Sequence, residues 1–385
     1  MRAATERRWR ELAGDGPSAE AWERFGTLID ECAFAALLKA VAGDPARPTV
    51  VRVVWAPHQW FGMDVPGSRF AGGPGADQSY AIIPIDFGTR YTISGQWIGD
   101  RPADLNYTLA ANAYFMNAIN TLQMDEIDAD ADRRFTLTVG PEAGGRNHIR
   151  TFPGAQYLFV RDCRSDWKQS ATALRVTALD PPRTAPWDDE QILVRATQIA
   201  LDDAPNMFYW VRLFQGMEAN RLTGPALTDD VGGLVSQTTA FARLVLSPGD
   251  VAVITAQPGD AAFHDVQLND YWFGAVGDYV DRTGSFTGGQ VAPNSDGTVT
   301  YVVAHDDPGA ANWLDPQGLR ETLFVARWQR LAGRPGSPAP AMSLTVGARA
   351  DLDRLIPAST PRLDARGRAE RLRQRRDDYL LRLRV

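Results

Sequence analysis

The chain has 385 residues, of which 44% are hydrophobic, 23% charged and 10% aromatic. This length suits two domains, or one large β domain with helical additions, and the composition is that of an ordinary globular protein. The formal net charge is −7, so the chain lacks the overall basic field that drives binding to nucleic acid or to anionic membranes. We therefore expect neither nucleic acid nor a membrane among its partners.

Cysteine usage and the N-terminal sequence bear on the cellular compartment. Cys32 and Cys163 are too few and too far apart for a disulfide framework or a CxxC site. The first residues lack the continuous apolar stretch of a signal peptide, and no window approaches the ~18 apolar residues of a transmembrane helix. The sequence therefore predicts a cytoplasmic protein whose thiols are buried in a reducing compartment.

An amphipathic helix is predicted near the N-terminus, within a helical segment of residues 1–47. Residues 18–42 place apolar side chains three and four positions apart, which is the helical period. Ser18 is a suitable N-cap, and Gly43 and Pro45 end the pattern. We expect this helix to pack on a β domain or on a second subunit.

Residues 48–182 change to the period of β-strands. Seven short candidates follow one another: TVVRVVWAP, SYAIIPID, RYTISGQWI, NYTLAANAY, RFTLTVG, QYLFVRD and ATALRVTAL. This spacing favours a sandwich or jelly roll over a parallel α/β sheet. The glycine-rich run at residues 70–78 lacks the lysine and the strand–loop–helix context of a nucleotide site, and it is predicted to be a mobile loop. We therefore predict no cofactor.

Residues 183–240 are predicted to form a helical bridge. Asp188 or Asp189 is a plausible N-cap, and Pro205 is expected to divide the segment into two helices. The second helix, around Tyr209 and Trp210, is apolar on all sides. Such a helix lies between two β modules or lines a pocket, and Tyr209 is a candidate for contact with a ligand.

Residues 241–332 are predicted to form a second, jelly-roll-like module. Strand-type runs at residues 250–255, 263–273 and 298–304 alternate with turn sequences that are rich in polar and aromatic groups. Residues 333–385 follow as a Pro/Gly-rich linker and an arginine-rich terminal helix. That helix is expected to pack on the body or on a twin subunit, so a homo-oligomer is one alternative.

Several motifs carry a resemblance to a known family. The order QPGDAAFHDVQLNDYWF, SDGTVTYVVAHDDPGAANWLD and RETLFVARW resembles the C-terminal module of the DUF1214 family. DQSYAIIPIDFGTRYTISGQW and TFPGAQYLFVRDCRSDW resemble the β region, DUF1254-like, that lies upstream in that family. The likeness covers roughly residues 50–330 and departs at His264, where an aromatic residue is expected. Because the family is named for unknown function, the resemblance implies a β-sandwich or jelly-roll fold rather than an activity.

The HDDPG sequence beginning at His305 is the leading catalytic candidate. It places an imidazole, the side chain best suited to proton transfer near neutral pH, beside Asp306 and Asp307. Asp-Asp-Pro-Gly is also ordinary turn chemistry, so a structural role stays open. A metal site using His264 and His305 is not required by their spacing, and we predict none.

A row of polar side chains is the leading candidate for binding. Strand alternation places Asp265, Gln267, Asn269 and Tyr271 on one face, which would orient a ligand if that face is buried. The resemblance favours the buried alternative, because Gln267 and Asn269 match the family motif. Aromatic, amide and charged groups elsewhere complete the set of binding candidates: Trp272, Asn312, Trp313, Asp315, Arg161 and Tyr209. Trp313 either stacks on a ligand or plugs a packed corner, and Arg161 and Arg327 each clamp an anion or pair with an Asp.

These observations predict a mainly β protein with two sandwich-like or jelly-roll-like modules bridged by helices. The preferred function is a cofactor-independent enzyme, a lyase, isomerase or hydrolase, that acts on a hydrophobic ring compound or a glycoside by acid/base chemistry. A non-catalytic protein that binds a small molecule or carbohydrate is the main alternative, and an oligomeric scaffold is a third. Fold resemblance alone does not decide between them.

Overall fold

The computed structural model describes residues 1–53, 58–60, 62–65, 67–69, 75–114, 118–227, 237–332 and 339–382. It is mainly β with helical additions, as predicted, and most of its strands form two β-sandwich modules. The helices of the described chain are α1 (Arg2–Ala13), α2 (Ala19–Glu23), α3 (Phe25–Val41), α4 (Asp189–Gln215), α5 (Leu352–Leu355) and α6 (Ala365–Arg382).

The first module packs two sheets, named 1a and 1b, around one apolar core. Antiparallel sheet 1a has the strand order β1 (Val51–Val53), β4 (Gln78–Pro84), β10 (Tyr157–Cys163), β6 (Asp104–Ala110) and β7 (Ala118–Gln123). Sheet 1b has the order β11 (Ala173–Ala178), β5 (Tyr91–Gln96), β8 (Arg134–Gly140) and β9 (His148–Arg150). A separate hairpin pairs β2 (His58–Trp60) with β3 (Met63–Val65). Each of the seven predicted strand segments contains a strand.

The second module repeats this architecture with sheets 2a and 2b. Sheet 2a has the order β12 (Leu222–Leu227), β13 (Gln237–Val245), β19 (Glu321–Leu331), β15 (Ala261–Asn269) and β16 (Ser285–Thr287). Sheet 2b has the order β18 (Trp313–Leu314), β17 (Val299–Val303), β14 (Asp250–Gln257) and β20 (Ala341–Ala348). Apolar side chains of the two sheets fill the core between them.

The antiparallel sheets 1a and 2a also present outer faces, which helices cover in part. Small side chains of α3 and α4, including Ala36 and Ala200, pack on the outer face of sheet 1a. Larger side chains of the same two helices, including Leu28 and Phe208, pack against the outer face of sheet 2a. The helix pair therefore bridges the modules, and a buried 2.5 Å ion pair between Lys39 and Asp203 joins α3 to α4.

The predicted break at Pro205 is wrong, because α4 continues through this residue for 27 residues in all. Pro205 removes one main-chain hydrogen bond, but the buried side chains of Ala204, Met207 and Phe208 on either side of it hold the helix in place. Asp188 is the N-cap, and with Gln191 it forms a capping box.

Strands also occur in stretches that the sequence assigned to the helical bridge and the terminal linker. β12 and the start of β13 lie within residues 183–240, and β20 lies within residues 333–385. β20 pairs only with β14, and its residues alternate between exposed and half-buried. An edge strand of this kind carries a weak hydrophobic signal, which is why the sequence pattern missed it.

The arginine-rich helix α6 packs on both modules of its own chain. The Arg375 guanidinium lies 3.9 Å from the ring centroid of Trp167 in the first module. Its Nε donates to Tyr279 O and its Nη2 donates to Ser285 Oγ in the second module, at 2.9 and 2.8 Å. Tyr379 is buried beside them, so this face of α6 is covered without a second subunit.

Candidate functional site

The HDDPG turn, the leading catalytic candidate, makes structural contacts. His305 is half-buried, and its Nε2 lies 3.2 Å from the main-chain oxygen of Leu246. Asp306 is exposed, whereas Asp307 accepts from Gly309 N at 2.8 Å and forms an ion pair with Arg368 of α6 at 2.9 Å. These are the contacts of a turn that anchors the terminal helix, and no contact in the described chain joins His305 to either carboxylate.

The NWLD loop is a packed corner. Asn312 is buried, and its Nδ2 donates to Ala292 O and Thr300 O at 2.8 and 3.1 Å. Trp313 Nε1 donates to Ala304 O at 2.8 Å. Asp315 is buried and accepts from Arg282 Nε at 2.6 Å. The polar groups of the loop are thus occupied by the protein itself, which is the plugged-corner alternative for Trp313.

The aromatic binding candidates also separate from the polar row. β15 ends at Asn269, so Tyr271 lies beyond the strand and is only half-buried. Trp272 is buried among aromatic side chains, and its Nε1 donates to Ala21 O at 2.8 Å. Tyr209 is 55% exposed on α4, and its neighbour Trp210 is in the core. Trp272 and Trp210 therefore stabilise the helix packing, and Tyr209 faces solvent.

The polar row of β15 occupies a different environment. Val266 and Leu268 point into the core of the second sandwich. Asp265, Gln267 and Asn269 point out of that sandwich, yet all three are fully buried. The burial arises because the first module covers this face, as shown by the 2.6 Å hydrogen bond from Ala76 N to Gln267 Oε1. The predicted face is therefore buried, but between the modules rather than inside one.

The opposing side chains come from sheet 1a. Tyr80, Arg161 and Asn106 form one row across β4, β10 and β6 on the outer face of this sheet. Together with the facing side chains of β15 and β19 they form what we name the intermodule polar cluster: Asp77, Tyr80, Asp104, Asn106, Arg161, Asp265, Gln267, Asn269, Arg327 and Gln329. Arg330 borders it and reaches across to the first module, 2.6 Å from Asp125 and 3.8 Å from Asp104.

The electrostatics of the cluster favour a carboxyl group that titrates near neutral pH. Burial raises the pKa of Asp265 to about 7, the charge of Asp77 adds to this, and Arg327, 3.3 Å away, acts in the opposite direction. Burial also raises the pKa of Tyr80 to about 12, so its hydroxyl stays protonated and donates to Gln78 Oε1 at 2.5 Å. A carboxyl with a pKa near 7 can both accept and donate a proton at that pH.

Several buried polar atoms of the cluster have no hydrogen-bond partner within the described chain. They are Asp265 Oδ1, Asn269 Nδ2, Gln329 Oε1 and Asn106 Oδ1. Buried polar atoms are almost always hydrogen-bonded, because an unpaired one costs about 1–3 kcal/mol. Four of them on two facing sheets indicate that a polar molecule, such as a ligand or ordered water, belongs between the modules.

Arg161 provides a positive charge at the same place. Burial lowers the pKa of its guanidinium, yet the side chain is only half-buried, so accessible space remains beside it. The guanidinium lies over the ring of Phe159 at 5.2 Å, and within the described residues it forms no ion pair or hydrogen bond. An arginine held in this way is suited to binding an anionic group.

The described residues hold no cluster of three or more His, Cys, Asp and Glu side chains that could bind a metal ion. His264 and His305 are therefore not brought into such a group. His264 is half-buried on the opposite face of β15 from Asp265, and burial lowers its pKa to about 4. Its imidazole is thus neutral at pH 7.

The fold and the cluster define a class of protein in which two β-sandwiches enclose a buried polar site between them. In comparisons with known proteins, no family model and no curated protein matches the chain. The crystal structure of an uncharacterized protein from Burkholderia cenocepacia is similar, with a TM-score of 0.74 and 22% identity over 90% of this chain and 95% of that one. This likeness shows a shared fold.

A second solved structure, of a protein from Vibrio parahaemolyticus, aligns with a TM-score of 0.43 and 10% identity over 83% of this chain and 99% of that one. No conclusion is drawn from a likeness at this level. Among the helices that the structure describes, none combines the length and the apolar character needed to cross a membrane.

Sequence reasoning identified Gln267, Asn269 and Arg161 but missed most of the cluster. Asp265 was recognised as part of the row without being assigned a role, and Tyr80, Asn106 and Gln329 were not considered. A signal was present in the strands themselves, since QYLFVRD, NYTLAA and FVARWQ each alternate apolar residues with polar or charged ones. A polar face of this kind is ordinarily exposed, so the pattern alone did not mark these residues.

Proposed function

We propose that the intermodule polar cluster is the site of a cofactor-independent enzyme that acts by acid/base chemistry on a small organic molecule carrying an anionic group. The observation that carries this proposal is the set of unpaired buried polar atoms between the modules, next to a guanidinium without an ion pair. In this proposal Arg161 binds the anionic group of the substrate. The amides of Gln267 and Asn269, joined by a 2.5 Å hydrogen bond, orient it.

Asp265 is the proposed proton carrier. Its Oδ2 faces Arg327, whereas its Oδ1 has no partner among the described residues and so is the oxygen that can reach a substrate. The raised pKa of Asp265 leaves both protonation states populated at pH 7, which suits a general acid or base. Arg327 favours the ionised state, so the proton can be released once it is needed elsewhere.

This assignment replaces His305 with Asp265 as the leading candidate. The contacts of His305 are those of an anchored turn, and its neighbour Asp307 is engaged by Arg368. Polar and charged side chains surround Asp265, so a polar anionic substrate fits the cluster better than a hydrophobic ring compound. The proposal keeps the predicted reaction class and changes the residues and the substrate chemistry.

A panel of small organic acids, screened by thermal shift and then by mass spectrometry of the products, tests the function. We expect an acid that stabilises the wild type and is converted by it. Arg161→Met should abolish the stabilisation, since the anion loses its partner, and Asp265→Asn should keep the stabilisation but reduce turnover by at least ~10²-fold. Arg175→Met, which changes an exposed arginine of the same module, is the matched control.

Unchanged binding and turnover in both cluster variants would refute the proposal, and loss of turnover in His305→Ala alone would restore the HDDPG turn. A ligand that stabilises the wild type without any product supports the alternative function, a non-catalytic protein that binds small molecules. That alternative is favoured by the fixed amide pair, which is suited to recognition whether or not a reaction follows.

We also propose that the chain belongs with the DUF1214 family, on the motifs given above. Support comes from the environments of the motif residues. Gln267, Asn269 and Asn312 are fully buried and engaged in hydrogen bonds. A solved structure of an assigned family member tests this, because it should place the same two amides on a strand that another sandwich covers. An exposed strand at that position would contradict it.

A further inference from the structure

A second polar cluster lies inside the first sandwich, on the other face of β10 from Arg161. Strand alternation turns Asp162 inward, whereas Arg161 points to the intermodule polar cluster. Arg52 of β1 and Tyr107 of β6 lie on the inner face of the same sheet, opposite Ala81 and Val160 respectively. Arg164 follows directly after β10. We name Arg52, Tyr107, Asp162 and Arg164 the inner arginine cluster.

Arg164 is the central residue, since it is 0% exposed and only partly hydrogen-bonded. Its Nη2 donates to Asp162 Oδ2 and to Thr172 Oγ1. Its Nε and Nη1 are buried without a partner among the described residues, and so is the hydroxyl of Tyr107. Three buried donors therefore remain unused in one small region, although buried donors are nearly always satisfied.

Charge points to the same conclusion. The cluster holds two guanidinium groups and one carboxylate, because Arg52 donates to the main-chain oxygen of Thr172 and forms no ion pair within the described chain. Burial and the charge of Arg164 lower the pKa of Arg52, and Asp162 opposes this. The region thus carries one excess positive charge, and a buried charge without a counter-charge is strongly unfavourable. A water molecule would satisfy the donors but would leave this charge in place.

We propose that the inner arginine cluster binds a small monovalent anion inside the first sandwich. The Nε and Nη1 groups of Arg164 and the Tyr107 hydroxyl are its donors, and Arg52 contributes charge. Asp162 Oδ1, an acceptor without a partner in the described chain, repels an anion and so limits the site to one negative charge. Because the ligand binds the folded state, it stabilises the first module. This site is independent of the proposed function, which uses the opposite face of β10.

Thermal unfolding of the full-length protein in chloride, against the bulky anion gluconate at constant ionic strength, tests the site. We expect the Tm of the wild type to rise as chloride replaces gluconate. The rise should vanish in Arg164→Met, which removes the donors, and should shrink in Tyr107→Phe, which removes one hydroxyl. Arg175→Met, an exposed arginine of the same module, and Arg161→Met should both keep the full chloride effect.

Crystals soaked in bromide locate the ion directly. An anomalous peak within hydrogen-bond distance of Arg164 supports the site, including in the event that Arg164→Met fails to fold. An ordinary water at that position, or an equal chloride effect in wild type, Arg164→Met and Tyr107→Phe, overturns the proposal. A chloride effect that Arg161→Met alone removes assigns the anion to the intermodule polar cluster, and likewise overturns it.

Discussion

At the residue scale, two neighbours on β15 show how burial acts on different groups. His264 and Asp265 point to opposite faces of the strand, and burial favours the neutral form of each. The pKa of His264 therefore falls to about 4, whereas that of Asp265 rises to about 7. Their effects on stability have opposite signs, since one group resists gaining a proton and the other resists losing one.

The pH dependence of stability tests the state of Asp265. Its folded pKa of about 7 lies above the ~3.9 of an unfolded Asp, so between these values the folded state binds more protons. Its contribution is therefore full below about pH 4 and is lost as the pH rises to about 7. Asp265→Asn cannot ionise, so its free energy of unfolding should decline less than that of the wild type between pH 5 and 8.

Chemical denaturation at a series of pH values measures this difference. Comparing slopes rather than absolute stabilities removes the constant cost of leaving Arg327 without its carboxylate. His264 works in the opposite direction below about pH 6.5 in both proteins, so it cancels in the comparison. Asp306→Asn, at an exposed carboxyl, is the control. Identical slopes for wild type and Asp265→Asn would show that the Asp265 pKa is not raised.

At the element scale, single strands and helices serve both modules. β10 turns Arg161 toward the intermodule polar cluster and Asp162 toward the inner arginine cluster, because successive side chains of a strand alternate. The α3–α4 pair divides along its length, with small residues against sheet 1a and large ones against sheet 2a. Helix α6 is anchored mainly by arginines, which reach main-chain oxygens that apolar side chains could not satisfy.

Two adjacent arginines of α6 allow a matched test of this anchoring. Arg375 is buried, stacks on Trp167 and bonds Tyr279 O and Ser285 Oγ, so Arg375→Met should lower the free energy of unfolding by about 2–4 kcal/mol. Arg376 pairs with Asp281 at the surface, and Arg376→Met should cost less than about 1 kcal/mol. Urea denaturation of both variants measures the difference. Equal losses would mean that α6 is held by its apolar residues alone.

At the scale of the whole molecule, the two sandwiches depend on each other. The outer faces of sheets 1a and 2a carry buried charges and amides that neither module covers alone. Arg330, the Ala76–Gln267 hydrogen bond, the α3–α4 pair and helix α6 all join one module to the other. Separation of the modules would expose the whole interface at once, so we expect them to unfold together.

Calorimetry tests this coupling. The wild type should show one transition in which the calorimetric and van't Hoff enthalpies agree. Arg330→Met removes the contacts with Asp104 and Asp125 and should lower the Tm of that transition, while Arg134→Met, at an exposed ion pair, should leave it nearly unchanged. Two resolved transitions in the wild type would contradict the prediction.

The sequence by itself determined the local structure of this protein. Strand alternation located the seven strands of the first module, and the cap residues Ser18 and Asp188 mark helix starts. These features depend on residues close together in the chain, where spacing and side-chain chemistry are sufficient. The alternation of β15 likewise identified Gln267 and Asn269 as one polar face.

Only the tertiary structure decided what that face does. Asp265 and Arg161 are separated by about a hundred positions in the chain, and no local pattern shows that sheet 1a covers sheet 2a. Burial by a distant element is what raises the pKa of Asp265 and leaves its Oδ1 without a partner. Conversely, the HDDPG turn has the residues of a catalytic site but, in the fold, the contacts of a structural anchor. Function depends on environment, and environment is created by packing between residues far apart in sequence.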